Sequence, residues 1–222
     1  MATVLVLGAS RGIGLEFVRQ YRAAGDRVIA TARDDEGLER LSALGAETLR
    51  VDVAQPASVS GLSWQLDGVE IDLALYVAGV IDRGNATSPP TQQAFDHVMH
   101  TNLLGLMQVL PQVMPMVEAA GGVFGALSSS MAQIGPVSGS NSWLYRASKA
   151  ALNMAVSSAR HDYPAALLVA LDPGWVQTDM GGGAAPLTVE ASVHGLRAVL
   201  AGLTAEDNGR LIHHDGRRAE SW

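Results

Sequence analysis

The chain has 222 residues, no cysteine, 48% hydrophobic against 17% charged residues and a net charge of −7. That length suits one α/β domain with a large core, and the missing cysteines exclude disulfides, thiolate metal sites, cysteine nucleophiles and iron–sulfur clusters. The acidic balance argues against nucleic acid as a partner, and the six histidines (His97, His100, His161, His194, His213, His214) have no metal-ligand spacing, so no metal is expected.

In chain order the first element is a strand: Thr3–Leu7 is rich in Val and Leu, with no basic segment before it and no cleavage site after it, unlike a signal peptide. Further strand candidates are Arg27–Ala32, Glu47–Val51, Leu73–Val77, Gly122–Leu127, Ala166–Leu171 and Arg210–His213. These runs are mostly apolar instead of alternating, as befits strands covered on both faces. Helical periodicity marks Ile13–Ala24, Glu36–Leu44, Ala57–Gln65, Gln92–Val117, Tyr145–Arg160 and Val189–Ala201 between them. Alternating strands and helices predict a Rossmann-type, doubly wound parallel sheet of about seven strands with helices on both faces, a single domain over residues 1–222. No stretch approaches the roughly 18 apolar residues of a membrane span. A cytoplasmic protein without a membrane partner is expected.

Directly after the first strand runs Gly8-Ala9-Ser10-Arg11-Gly12-Ile13-Gly14, leading into a helix. Glycines let backbone approach a pyrophosphate closely, and a helix N-terminus offers free N–H groups and a positive dipole end. A plain strand-to-helix turn has the same composition, but its place at the start of a βαβ unit favours a dinucleotide loop. The second strand ends in Ala32-Arg33, 19 residues beyond Gly14, where NAD-binding chains carry an acid for the ribose 2′-hydroxyl. Arg33, with Arg11 in the loop, suits the 2′-phosphate of NADP instead.

Of the fifteen basic residues only Lys149 is lysine. It follows Tyr145 by four positions, so the two share a helix face. A phenol with a pKa near 10 is a poor acid at neutral pH, and a neighbouring ammonium lowers that value.

Gly8-x-x-x-Gly12-x-Gly14, Asn102, Ser128-Ser129, Tyr145-x-x-x-Lys149, the run Asp172 to Gly182 and His214-Asp215-Gly216-Arg217 stand in one order along the whole chain. Together they resemble the short-chain dehydrogenase/reductase family, and Ser142 to Met154 with Gly174 to Gly182 is most similar to its sniffer-type carbonyl reductases and bacterial C-factor proteins. The resemblance implies an NADP-dependent oxidoreductase for a small carbonyl or alcohol substrate. Tyr145 would be the acid/base, and Lys149 would tune it and bind the nicotinamide ribose. Ser129 would polarise the substrate oxygen, and Asn102 would hold a relay water. Asp52 and the Val53 amide would meet the adenine. Gly8, Ser10, Arg11, Gly12, Ile13, Gly14, Ala78, Gly79, Pro173, Val176 and Thr178 would complete the cofactor site.

Hydride addition builds an alkoxide, for which a tyrosine and a serine make a preorganised donor pair. Three contiguous serines, Ser128, Ser129 and Ser130, leave the choice among them open. Trp175, Met180 to Gly183 and Trp143 are candidates to close over an apolar substrate. Two departures from the family pattern touch the cofactor loops: Leu7 stands where threonine is usual, and Tyr76-Val77-Ala78-Gly79 replaces Asn-Asn-Ala-Gly. Residues Gly135 to Ser142 form an extra stretch before Tyr145. In the resembling subgroup such an insertion can obstruct tetramer packing, so a monomer and a homo-oligomer both stay open. The alternative function is a non-catalytic NADP-binding sensor of the same fold, which would have no need of Tyr145.

Overall fold

The structure, a computed structural model, describes residues 1–220. Its seven strands are β1 (Thr3–Leu7), β2 (Arg27–Ala32), β3 (Glu47–Arg50), β4 (Leu73–Tyr76), β5 (Val123–Leu127), β6 (Leu167–Asp172) and β7 (Leu211–His213). They pair in parallel in the order β3-β2-β1-β4-β5-β6-β7. The eight α-helices are α1 (Gly12–Ala23), α2 (Asp35–Ala43), α3 (Pro56–Val59), α4 (Leu62–Gln65), α5 (Gln92–Met99), α6 (Gly105–Ala119), α7 (Trp143–Ala159) and α8 (Val189–Ala201).

Strand side chains alternate between two cores because successive Cβ atoms point to opposite faces. Val4 and Val6 of β1 pack with Phe17 and Val18 of α1, Leu41 of α2 and Leu196 of α8. Leu5 and Leu7 pack on the other side with Leu106 and Val113 of α6 and Leu152 and Val156 of α7. Both faces of the inner strands are thereby covered, which is the physical origin of their largely apolar runs. Strand order reverses between β1 and β4, and a crevice opens there beyond the carboxyl ends of the strands, where doubly wound sheets hold ligands.

Two helical segments differ from their periodicity. The run predicted as Ala57–Gln65 is broken at Ser60-Gly61 into α3 and α4, because Gly61 leaves helical backbone to cap α4. The run predicted as Gln92–Val117 is interrupted by a π-helical turn at His100–Leu104, which carries Asn102. Side-chain caps fix the starts that matter: Asp34 accepts from Gly37 N, Thr91 from Ala94 N and Thr188 from Ala191 N. Among the described residues no helix is long and apolar enough to cross a membrane, and no cluster of His, Asp or Glu is placed to hold a metal.

Candidate active site

A cavity of about 730 Å³ occupies the crevice, running from the end of β2 past the glycine loop to the N-terminal half of α7. The loop wraps a helix start with no side-chain cap and no acid in the first turn of α1. Uncapped N–H groups facing a cavity are a ready anion site. Gly8 has φ +86°, and a Cβ there would stand 2.7 Å from Ala78; one on Gly14 would stand 2.4 Å from Gly8 O. Backbone therefore forms the cavity wall at this point.

The loops lacking the usual threonine and asparagines are held in another way. Gly8 N donates to Thr31 Oγ1 at 3.0 Å, and Ala9 N to Thr31 O at 2.9 Å. Leu7 O accepts from both Val77 N and Ala78 N, at 2.9 and 3.1 Å. Tyr76, buried, donates to Thr101 O at 2.6 Å.

At the far end of the cavity lie Arg33, Arg11 and Arg40 together with Asp34 and Glu36. Arg40 was not anticipated from the sequence: its guanidinium donates to Ser10 O and pairs with Glu36, tying α2 to the glycine loop. Arg33 keeps an exposed side chain 4.0 Å from Asp34, and Arg11 pairs with Asp179 at 3.3 Å. Asp52 and Val53 line the same end; the Asp52 carboxylate accepts from Ala54 N at 3.0 Å.

At the near end Tyr145 and Lys149 lie one turn apart on α7, both buried. Lys149 Nζ donates to Leu127 O at 2.7 Å and stands 5.8 Å from the Tyr145 ring centre. The Ser129 hydroxyl accepts from Met131 N at 3.1 Å and lies near enough to the phenol to favour the phenolate. Ser128 instead donates to Asn153 Oδ1 at 2.6 Å, and Ser130 is exposed at the start of a short 3₁₀ turn. Of the three serines, Ser129 is the one that meets the tyrosine.

Burial pushes the phenol up to about 12, with the negative charge of Asp172 acting in the same direction and Ser129 against it. Burial also pulls Lys149 down to about 7. The expected lowering of the tyrosine by its lysine is thus not found in the protein alone, where desolvation penalises the charged form of both groups. Asp172, at the end of β6, opens the run to Gly182, but its contacts are not foreseeable from the sequence. Its Oδ2 stands 2.7 Å from His213 Nδ1 on β7, and its Oδ1 accepts from Gly174 N at 3.2 Å.

Asn102 is fully buried, and its side chain is committed to the fold: Oδ1 accepts from Val80 N while Nδ2 donates to Val80 O and Ser148 Oγ, each at 2.9 Å. Neither amide proton is left for a water. A water held at Asn102 would have to donate to the second lone pair of Oδ1 or to the main-chain carbonyl.

The cavity wall brings together Gly8, Ser10, Arg11, Gly12, Ile13, Gly14, Arg33, Asp52, Val53, Ala78, Gly79, Tyr145, Lys149, Pro173 and Thr178. Val176 is not on it: its pairing with Leu187 turns the side chain into the protein, and Gln177 takes the wall instead. Met180 closes one side, and Trp175, exposed, donates from Nε1 to Gly181 O at 2.8 Å.

Residues 2–186 match the short chain dehydrogenase family model. The chain is 32% identical to 1-hydroxy-2-glutathionyl-2-methyl-3-butene dehydrogenase of Rhodococcus sp. (strain AD45), covering 97% of this chain and 98% of that one. Among solved structures it is similar to carbonyl reductase Sniffer of D. melanogaster (25% identity, TM-score 0.92, all of both chains). It is also similar to a short-chain dehydrogenase/reductase from Burkholderia multivorans with bound NADP (28% identity, TM-score 0.88, 100% of this chain and 99% of that one). With the family model spanning most of its length and a relative aligned end to end, the chain belongs to the short-chain dehydrogenase family of oxidoreductases.

Proposed function

We propose that the protein is an NADP(H)-dependent carbonyl reductase that interconverts a small ketone or aldehyde and its alcohol. The observation that carries this reading is the placement of the Ser129 hydroxyl beside the buried Tyr145 phenol, at the end of a cavity whose other end is a glycine cradle beside Arg33. A protein that only sensed a dinucleotide would have no use for a paired phenol and hydroxyl at the nicotinamide end. The likeness to a carbonyl reductase and to a structure with bound NADP points in the same direction.

The cradle fits a dinucleotide on its own evidence: the uncapped start of α1 suits a pyrophosphate, and a side chain at Gly8 or Gly14 would fill the space. Arg33, Arg11 and Arg40 would face a 2′-phosphate, Asp52 and Val53 the adenine, and Lys149, Pro173 and Thr178 the nicotinamide half. Bound NADPH would supply hydride to the carbonyl carbon. Tyr145 gives its proton to the carbonyl oxygen as negative charge develops there. Ser129 donates a hydrogen bond to the same oxygen, its own acceptor site already engaged by Met131 N. Lys149 is held on Leu127 O, so its remaining protons are available to a ribose hydroxyl and to reprotonate the phenolate.

The test follows NADPH absorbance with a panel of ketones and aldehydes, for wild type and Tyr145→Phe. Removing the acid is expected to cut turnover roughly a hundred- to ten-thousandfold while NADPH still binds. Tight NADPH binding with no turnover of any carbonyl by the wild type would instead support the sensor.

A further inference from the structure

The segment that leaves β4 passes from the catalytic centre to the rim of the cavity. Asn102 clamps Val80 through its N–H and its carbonyl at once, and a Cβ at Gly79 would lie 3.4 Å from Lys149 Nζ. Four residues further on, Gly84 O accepts from Ser142 N at 2.7 Å, at the start of the helix that carries Tyr145. Between these two anchors stands Arg83. Its Nη2 donates to Met180 O at 2.6 Å, on the loop that closes the opposite side of the cavity. The guanidinium therefore bridges the segment anchored at the start of α7 to the Met180 loop, outside the cavity wall that Val80 and Met180 form.

A guanidinium has five N–H donors, and this one spends a single bond on the protein. Among the described residues it has no carboxylate partner, nor has Arg146, which donates to the main chain and side chain of Asn141. The neighbouring acids are engaged elsewhere: Asp82 Oδ1 accepts from Gly84 N at 3.0 Å, and Asp179 pairs with Arg11. Most other arginines of this acidic chain are paired with acids, so an arginine with open donors at the mouth is set apart. Trp143, next in sequence to Ser142, and Trp175, which donates to Gly181 O beside Met180, are both partly exposed.

We propose that Arg83 recognises a carboxylate on the substrate, and that the substrate class is an oxo acid: a carbonyl at Tyr145, an apolar spacer past the tryptophans, and a carboxylate taken by the free fork of the guanidinium. The proposal rests on the carbonyl-reductase reading and narrows it. Met180 O remains bonded to one edge of the guanidinium, so the lid and the ligand are held by the same group.

Two measurements test it. The first compares kcat/KM for levulinate and longer oxo acids with their methyl esters, in wild type, Arg83→Gln and Arg83→Lys. Wild type should prefer the acid by about tenfold, as one charge-assisted bond gives. Arg83→Gln should bring the ratio near one through KM, and Arg83→Lys should keep part of it. A ratio near one in the wild type, or an unchanged ratio in Arg83→Gln, overturns the proposal. The second uses unreactive ligands, following tryptophan fluorescence with hexanoate against hexanamide. Tighter hexanoate binding that disappears in Arg83→Gln supports the carboxylate site, and equal binding of the two refutes it. If no carbonyl compound is turned over, the reductase reading falls, and the fluorescence comparison still decides the role of Arg83.

Discussion

The ammonium of Lys149 is docked on the last carbonyl of β5, 2.7 Å from Leu127 O, on the same strand end that supplies Ser128 and Ser129. Sheet and α7 are thus joined by the one lysine of the chain. A guanidinium would bring a planar fork into a space beside Gly79, where even a Cβ would stand 3.4 Å from Nζ. The lone lysine in a chain of arginines has a geometric reason.

Burial of that ammonium has a thermodynamic signature. An unfolded lysine keeps its proton to about 10.5, but the folded one releases it near 7. Between those values the unfolded state binds more protons, so stability contributed by this group rises as pH climbs from about 7 towards 10 and is lost as pH falls back through 7. Tyr145 opposes this only above pH 10, where the unfolded phenol ionises and the folded one, pushed up to about 12, does not. The melting temperature of the cofactor-free protein should therefore increase between pH 7 and 9, and Lys149→Met should flatten the increase. An equal slope in the variant would remove the buried ammonium as its source.

Ser128 and Ser129 should separate cleanly. Ser129→Ala takes away a donor to the developing oxyanion and is expected to lower kcat roughly a hundred- to a thousandfold. Ser128→Ala leaves Asn153, whose Nδ2 already lacks a partner, with an unpartnered buried Oδ1 as well. That should cost about 1–3 kcal/mol of stability and affect kcat much less than the neighbouring change. Calorimetry and initial rates on the two variants give the comparison, and a larger kcat loss in Ser128→Ala would reverse the assignment.

Cofactor choice is expected to depend on charge balance at the end of β2. Arg33→Ala should weaken NADPH binding about ten- to a hundredfold, the effect of losing a charge-assisted pair, and NADH much less. Glu36→Gln releases Arg40 from its carboxylate partner and should tighten NADPH several-fold. Titrating both cofactors into each variant measures this; equal losses for NADPH and NADH in Arg33→Ala would remove the 2′-phosphate assignment.

The parts legible in the sequence are those whose cause is local. Strands buried on both faces read as apolar runs, and the glycine loop, Tyr145 and Lys149 are contiguous patterns. What stayed hidden depends on contacts across the fold. The Arg40 tie to Ser10 joins α2 to the glycine loop, and Asp172 meets His213 only because β6 and β7 are neighbours. Val176 and Gln177 exchange places because a pairing with Leu187 sets which of them faces inward. The tyrosine and lysine shifts run opposite to the helix-face argument because spacing along a helix carries no information about desolvation. The π turn at Asn102 has helical periodicity on either side, and periodicity is blind to one inserted residue.

Gly14→Ala sets two effects against each other. Alanine is the better helix former by about 1 kcal/mol, and Gly14 lies in the first turn of α1, so propensity alone predicts a gain. The new methyl, however, would stand 2.4 Å from Gly8 O and 2.9 Å from Ala9 Cα. Both are backbone atoms that no rotamer change can move aside. Relief requires α1 to withdraw from the glycine loop, and overpacking of this kind costs about 1–3 kcal/mol. Set against the propensity gain, the net loss is about 0–2 kcal/mol, which for a chain of this size lowers the melting temperature by at most about 8 °C. The withdrawal also carries the helix N-terminus away from where the pyrophosphate would sit, so NADPH and NADH should weaken together, unlike the selective loss expected of Arg33→Ala. A Gly14→Ala protein with wild-type melting temperature and wild-type affinity for both cofactors would show that the loop is not held by this contact.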